Sequence, residues 1–504
     1  MSDSIDDKKL IKWFKENYKY IDFINFKPVY ERVKRSSQLD ILIGKLRYDR
    51  ELVEQKQILI DIWKYSVANA IIFLKSKDDR EFFHDDGDYG IEDLGKFFDS
   101  YCDFEKLLYG SGEFYRDHVL HVFRVFLLGE YIAREYLFNE YIDREGIARG
   151  KVKDPCEKLK GFNLIDVMDS KLKNDGAEVE GDKAKYLIKP EEKEAMWCIA
   201  SLTHDLGYPT EVVHEIHDKL KDMLKIFNIQ DVSYILSQQS QAFNDNIIKI
   251  ISSDLELCKK SLSEDKYTTH SQAKYYLKYS RSIENWDHGV ESCIVLMKSL
   301  VYFLETDFCL DKRRLMKITD ARQFLIRQRI LRAIASHNCD FIYHLKLDLS
   351  FLLRIVDEMQ EWNRPKLTDL FIKSPRSEFA IDMFKTNRIE YTIEFYDTAT
   401  TGDNEDDLHR SVKEYFHRKI NKFTKILRSA VDGDMRDGDK FVLTFNVIDS
   451  VNIHGNKFKY TFAHNNPETI SIQFQRTNPI LDPIDINLEK LEDKNWPDFK
   501  NNFS

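Results

Sequence analysis

Residues that interrupt regular structure are scarce in this chain: 10 Pro and 18 Gly are spread over 504 positions. Helices therefore have room to run for many turns, because Pro removes a backbone donor and Gly carries the largest entropic cost of ordering. Apolar side chains recur at the spacing such helices need. Phe14, Tyr18, Ile21 and Ile24 form one series, and Ile58, Ile62, Tyr65, Ala68 and Ile72 form another. With 42% hydrophobic residues the chain has ample material for packed cores, and it is too long for a single one. The expectation is a mainly α protein of more than one domain.

Three regions follow from the patterning. Residues 1–110 read as a helical N-terminal region, closed by the turn-rich run His84 to Gly90. Residues 111–375 read as a helical domain with polar insertions near 143–190 and 208–285, the second of them helix-compatible. From 376 to 504 the period changes, which predicts a C-terminal α+β accessory domain. Ile389 to Tyr396 alternates as a half-buried strand, and Thr398 to Asp407 is an acidic loop. An amphipathic helix over 408–430 carries Val412, Phe416, Ile420, Phe423 and Ile426, and strands are expected at 441–449, 457–463 and 469–475.

Charge and cysteine usage exclude several classes. With 76 Lys+Arg against 86 Asp+Glu the net charge is −10, which weighs against broad nucleic-acid binding. The basic cluster Lys312, Arg313, Arg314 and Lys317 reads as a solvated helix face. No uninterrupted apolar run reaches the length of a membrane span, and the first residues lack the order of a secretory signal. Seven cysteines at irregular spacing, with no CxxC pair, imply free thiols in a reducing compartment. A cytoplasmic protein is expected.

The chemistry lies in histidines and aspartates distributed over five helix-compatible segments. Asp117-His118-Val119-Leu120-His121 runs into an apolar helix, with Arg124 three residues after His121 and so on its face. A second apolar helix delivers the adjacent pair His204-Asp205, and Gly207 and Pro209 stop it. His288 opens a third helix, and His337 stands at the end of a fourth. Asp357 sits among Leu353, Val356 and Met359 on a fifth, where a carboxylate is costly to bury unless paired or coordinated. Neutral imidazole and carboxylate side by side suit a divalent cation.

In this order the residues resemble the HD-domain superfamily of metal-dependent phosphohydrolases, over roughly 111–365. The likeness rests on His-x-x-Arg-Val at 121–125, Leu-Thr-His-Asp-Leu-Gly at 202–207, Asp-His-Gly at 287–289, Ala-Ile-Ala-Ser-His-Asn at 333–338 and Leu-Arg-Ile-Val-Asp-Glu at 353–358. The resemblance implies an HD-type helical bundle core and one or two divalent ions, with Mg, Mn and Fe all suited. It implies that His121, His204, Asp205 and Asp357 hold the first ion. His288 and His337 hold the second, with Asp205 as the bridge; in the single-metal version these two histidines face substrate or merely pack. The implied reaction is attack of a metal-activated water on a phosphoester or phosphoanhydride bond of a nucleotide-type small molecule.

Further roles follow from that likeness. Asp205 orients the nucleophile beside His204, Arg124 and Arg354 are placed to neutralise phosphate, and Asp117 and His118 supply hydrogen bonds or acid–base groups. Trp286, Tyr208 and Trp362 are candidates to stack a base. The chain departs from the family in the long gaps between His121 and His204 and between Asp205 and His288, which coincide with the polar insertions. Gly207-Tyr208-Pro209 directly follows His-Asp, which disfavours the cyclic-dinucleotide branch. His214 and His217 read as a solvated helix face. The competing reading is a degenerate HD scaffold that senses nucleotide or regulates a protein partner through the C-terminal domain.

Overall fold

The computed structural model describes residues 4–26, 35–76, 90–108, 117–146, 148, 188–226, 241–259, 266–304, 315–339, 348–360, 362, 376–396, 405–428, 442–450, 457–464, 470–478 and 481–488. Most of the 143–190 insertion, the 84–89 run, the loop at 398–404, Lys312 to Arg314, Cys156 and Cys309 lie outside them.

Up to residue 359 the described chain is almost entirely helical. In order it forms α1 (Asp7–Asn17), α2 (Asp22–Asn25), α3 (Arg35–Lys45), α4 (Lys56–Ser76), α5 (Ile91–Leu108), α6 (His118–Ile132) and α7 (Phe138–Glu145). Then come α8 (Pro190–Thr203), α9 (Tyr208–Lys225), α10 (Gln241–Ile251), α11 (Ala273–Glu284), α12 (His288–Ser299), α13 (Val301–Leu304), α14 (Ile318–Asn338) and α15 (Leu349–Met359). Between α10 and α11 an antiparallel hairpin, β1 (Ser253–Lys259) and β2 (Lys266–Ser271), stands where helix-compatible sequence was read. In β1 the strand period rests on Leu255 and Leu257 alternating with Asp254 and Glu256, too short a run to separate from helix by periodicity.

The bundle is built on α4, α6, α8, α14 and α15, which pack against one another. From Ala195 to Leu202 helix α8 is apolar nearly all round, and Ala195, Met196, Trp197, Cys198, Ile199, Ala200 and Leu202 are fully buried. A helix hydrophobic on every side belongs at a centre. Residues 53–76 are long and apolar enough to cross a membrane, yet 67% of that window is buried inside the protein, where α4 contacts α3, α6 and α8. The cysteines Cys102, Cys198, Cys293 and Cys339 are free and buried.

A six-stranded mixed sheet follows, in the order β3 (Arg376–Lys385), β4 (Arg388–Tyr396), β5 (Val442–Ser450), β6 (Lys457–His464), β7 (Ile470–Asn478) and β8 (Leu481–Leu488). All neighbours are antiparallel except β4 and β5, whose parallel pairing is bridged by the crossover helix α16 (Glu405–Arg428). Val412, Phe416, Ile420, Phe423 and Ile426 form the buried stripe of α16, with Phe416 and Phe423 set against Phe445 of β5. Strands 389–396, 441–449, 457–463 and 469–475 are thus found within three residues of their sequence positions, and β3 and β8 are additional. The protein is mainly α with a C-terminal α+β region.

Sheet and bundle share one apolar core. Ile5 N donates to Phe379 O at 2.7 Å, tying the first described residues to β3. Lys419 of α16, 1% exposed, donates to the backbone oxygen of Glu358 at 2.6 Å and to its carboxylate at 2.9 Å.

Candidate metal centre

Five helix ends converge at one place. His121 lies in the first turn of α6, His204 and Asp205 in the turn leaving α8, His288 at the first position of α12, and His337 and Asp357 in the last turns of α14 and α15. Two glycines permit the approach. A Cβ on Gly207 would meet the backbone oxygen of His288 at 2.3 Å and the backbone nitrogen of Ser292 at 2.6 Å, so α12 crosses directly over the His-Asp turn. A Cβ on Gly289 would meet Ile334 O at 2.8 Å, so α12 and α14 are also in close contact. Ser292 pins the turn by donating to His204 O at 2.6 Å and accepting from Gly207 N at 2.8 Å.

Asp205 is the hinge of the geometry. Its Oδ2 faces His204 Nε2 at 3.5 Å and His121 Nε2 at 3.7 Å, while its Oδ1 faces His288 Nε2 at 3.3 Å and His337 Nε2 at 3.4 Å. Asp357 Oδ1 lies 2.9 Å from His121 Nε2. His121, His204 and Asp205 form one triad able to hold a metal, and Asp205, His288 and His337 a second, with ligand atoms in each within 4.8 Å of one another. All six residues of the expected set are therefore brought together, and Asp205 belongs to both triads.

The imidazole tautomers are set from behind. His204 Nδ1 donates to Ser201 O at 2.8 Å, His337 Nδ1 to Ile334 O at 2.6 Å, and His121 Nδ1 to Gln360 Oε1 at 2.6 Å. The Gln360 amide is itself oriented by donating to Trp362 O at 2.9 Å. These acceptors have no proton to give, so in the neutral ring Nε2 carries a lone pair aimed inward. His288 Nδ1 meets the Glu211 carboxylate and also lies 3.0 Å from Asn338 Nδ2. Backing each ring through its other nitrogen is the arrangement that orients metal-binding histidines.

Without a cation the arrangement is electrostatically incomplete. His204 Nε2 is sealed from solvent with no hydrogen-bond partner, facing a carboxylate oxygen. His288 Nε2 and His337 Nε2 stand 2.9 Å apart, a distance two lone pairs do not tolerate without a proton or cation between them. Burial opposes charge on Asp205, but His204, His288 and His337 outweigh it and hold the carboxyl well below the usual range. Asp357 is likewise held low against burial by His121 and His204. Burial pushes His204 down, against the opposing pull of Asp205. His288, against its own burial, is pushed up to about 10 by Asp205 and Glu211. The donor set of imidazole and carboxylate fits a divalent cation of the first transition row.

Four other expected residues are placed differently. Arg124 is 2% exposed and forms a bidentate pair with Asp7, both contacts at 2.8 Å, so it serves the α1–α6 contact rather than phosphate. Arg354 donates to the backbone oxygen of His337 and pairs with Glu358 at 3.3 Å, so it braces the wall of the site. Asp117 caps α6, accepting from Leu120 N at 3.0 Å, and pairs with Lys56 at 3.1 Å. His118 lies between Glu105, 3.4 Å from its Nδ1, and the ring of Tyr208, 3.8 Å away centre to centre. Neither residue at 117–118 touches the ligand atoms in the contacts of the described residues.

Of the aromatic candidates, Trp362 is in the core, stacked on Phe379 at 5.1 Å and donating to Asp7 at 3.0 Å. Tyr208 stands edge-on to His288 at 6.0 Å. Trp286 stacks on His214 at 5.1 Å, which takes His214 off a purely solvated face. Trp286 also has φ 59°, in the left-handed region. Its N–H donates to Ile283 O and that of Asp287 to Ser282 O, a helix-ending motif whose left-handed position ordinarily holds Gly. Glu211, Gln360 and Asn338 were not anticipated. Gln360 follows Asp357 at i, i+3, and Glu211 stands in the first turn of the helix after His-Asp, so both were within reach of a spacing argument.

Comparison with protein-family models, curated proteins and solved structures returns no significant match for this chain. What defines its class is therefore its own architecture: a helical core carrying buried His/Asp clusters able to bind metal.

Proposed function

We propose that this chain is a divergent HD-type, metal-dependent phosphohydrolase that cleaves a phosphoester or phosphoanhydride bond of a nucleotide-type small molecule. One observation carries the reading: the two oxygens of a single buried carboxylate, Asp205, face two separate pairs of histidines. Two divalent cations in such a site acidify water and polarise a phosphoryl oxygen, which is the chemistry phosphate hydrolysis requires.

In this reading His121, His204, Asp205 and Asp357 hold one cation, and Asp205, His288 and His337 hold the other. Glu211 and Gln360 fix the rings of His288 and His121 through Nδ1, so the donor atoms are set before substrate arrives. Because Arg124 and Arg354 are committed to protein acceptors, neutralisation of the phosphate falls to the cations. The acidic chain and a buried site favour a small soluble substrate over nucleic acid or membrane, in a cytoplasmic setting.

Elemental analysis of the purified protein, followed by phosphate release from a panel of nucleotides, tests the proposal. Stoichiometric metal with turnover, both lost in Asp205→Asn while the fold is retained, is the expected result. A folded, metal-free wild type that binds nucleotide without turnover would replace this reading with a sensor.

A further inference from the structure

Helix α14 carries four buried or nearly buried arginines, and three of them are accounted for. Arg322 pairs with Glu192. Arg327 donates to Tyr302 O at 2.6 Å and lies 4.2 Å over the Tyr302 ring. Arg332 donates to Ile251 O at 2.7 Å and to Ser253 O, with Asp254 Oδ1 at 3.4 Å. Arg329 is different. It is 8% exposed, its Nε is sealed from solvent without a partner, and among the described residues it makes no hydrogen bond or ion pair.

Its surroundings add to the imbalance. Arg332, one turn along the same helix, is a second cation 9% exposed. Among the described residues, the carboxylates that act on it are Asp254 and Asp348. Asp254 is already engaged by Arg332 and by the amide of Gln272, and Asp348 caps α15 by accepting from Phe351 N at 2.8 Å. Burial and Arg332 lower the Arg329 pKa only to about 10, so the group is charged at neutral pH. A buried guanidinium without a counter-charge is among the most costly arrangements a core can hold. The terminal nitrogens of Arg329 are not among the sealed, unpartnered atoms, so solvent reaches them and a small anion can follow.

We propose that Arg329 and Arg332 form an anion site beside the junction of α10 and β1, taking a phosphate-type oxyanion. Arg332 keeps N–H groups beyond those it gives to Ile251, Ser253 and Asp254, and together with the Arg329 fork these exceed what the two oxygens of one carboxylate accept, so a multiply charged tetrahedral oxyanion is matched better than a halide or acetate. The site is separate from the metal centre. Arg329 precedes His337 by eight residues, which is about 12 Å along the helix and roughly 80° around it. It therefore stands whether or not the phosphohydrolase reading does.

The test uses full-length protein in chloride buffer, with inorganic phosphate as the probe and thermal unfolding and titration calorimetry as readouts. Wild type, Asp205→Asn and Arg329→Met are compared, so that phosphate attracted by the metal centre is distinguished from phosphate at Arg329. Phosphate stabilising the first two, with affinity at least tenfold weaker in Arg329→Met and a higher melting temperature for that variant in phosphate-free buffer, supports the site. Sulfate should displace phosphate and acetate should not. Unchanged phosphate affinity in Arg329→Met, no response in wild type, or acetate binding equally would each overturn the proposal. If Arg329→Met does not fold, Arg329→Lys keeps the charge but loses the fork. It should still bind several-fold more weakly, and an affinity equal to wild type would overturn the assignment.

Discussion

Replacing Gly207 with Ala isolates the closeness of α12 to the His-Asp turn. Gly207 has φ −81° and ψ −10°, ordinary right-handed geometry that Ala adopts freely, so the backbone itself does not resist the change. The added methyl does. It falls 2.3 Å from His288 O, whereas ordinary contact begins at 3.4 Å, so about 1.1 Å must be recovered by moving α12 away. Overpacking of this kind costs about 1–3 kcal/mol, and the lower entropy of an unfolded chain bearing Ala returns about 0.4–1 kcal/mol, leaving a net loss of about 1–2 kcal/mol. The larger effect is on the site. His288 is the first residue of the displaced helix, and its Nε2 lies 3.3 Å from Asp205, so a shift of that size takes it out of the second triad. His121, His204 and Asp357 do not ride on α12. Gly207→Ala should thus remain folded, melt a few degrees lower, and bind fewer cations per chain than wild type. Metal analysis by plasma mass spectrometry alongside calorimetric unfolding checks both. Wild-type stoichiometry with unchanged melting would refute the close crossing as a determinant of the site.

Other outcomes follow from single contacts. Arg124→Met leaves the buried Asp7 carboxylate without the Arg124 cation, and should cost about 3–5 kcal/mol in denaturant unfolding, with part recovered by adding Asp7→Asn; a loss below 1 kcal/mol would contradict the pairing. Glu130, fully buried, lacks a hydrogen bond among the described residues and is 3.5 Å from Arg134. Burial pushes its carboxyl up to about 7. The folded state therefore holds the proton more tightly than the unfolded chain. The penalty is complete above pH 7 and is relieved as pH falls towards the ordinary carboxylate range. Glu130→Gln should be more stable than wild type at pH 8, with the difference shrinking by pH 5; a difference independent of pH refutes this. Trp286→Gly and Trp286→Ala both lose the stack on His214, but only Gly suits φ 59°, so the Gly variant should be the more stable by about 1 kcal/mol. Equal stabilities would argue against the left-handed backbone.

The His/Asp cluster able to bind metal was legible because its residues stand at helix ends, where a polar residue interrupts an apolar period visibly. Their partners were harder to see. Arg124 and Arg354 do share faces with His121 and Asp357, but a face three residues wide has room for several neighbours. Asp7, which claims Arg124, is 117 residues away in the chain. The strands missed have local causes as well. In β3 the alternation of Phe379 and Ile381 is broken by a register shift between Ile381 and Met383, after which Phe384 resumes. In β8, Pro483 sits within an edge strand, the one place a sheet tolerates it. Strand β4 has neither defect, and its alternation of Ile389, Tyr391 and Ile393 survives in the burial pattern.

The grip of Lys419 on Glu358 means that the sheet region is bolted to the residue next to Asp357, just as Asp7 is bolted to Arg124 and Trp362. A fragment cut to the helical bundle alone would leave Glu358, Arg124 and the face of Trp362 without their neighbours, all within a few positions of the candidate cation ligands. Modular transplantation of this core is thereby closed off: a chimera that swaps the C-terminal region must carry a lysine in register with α15, or it inherits the ligands without the frame that aims them.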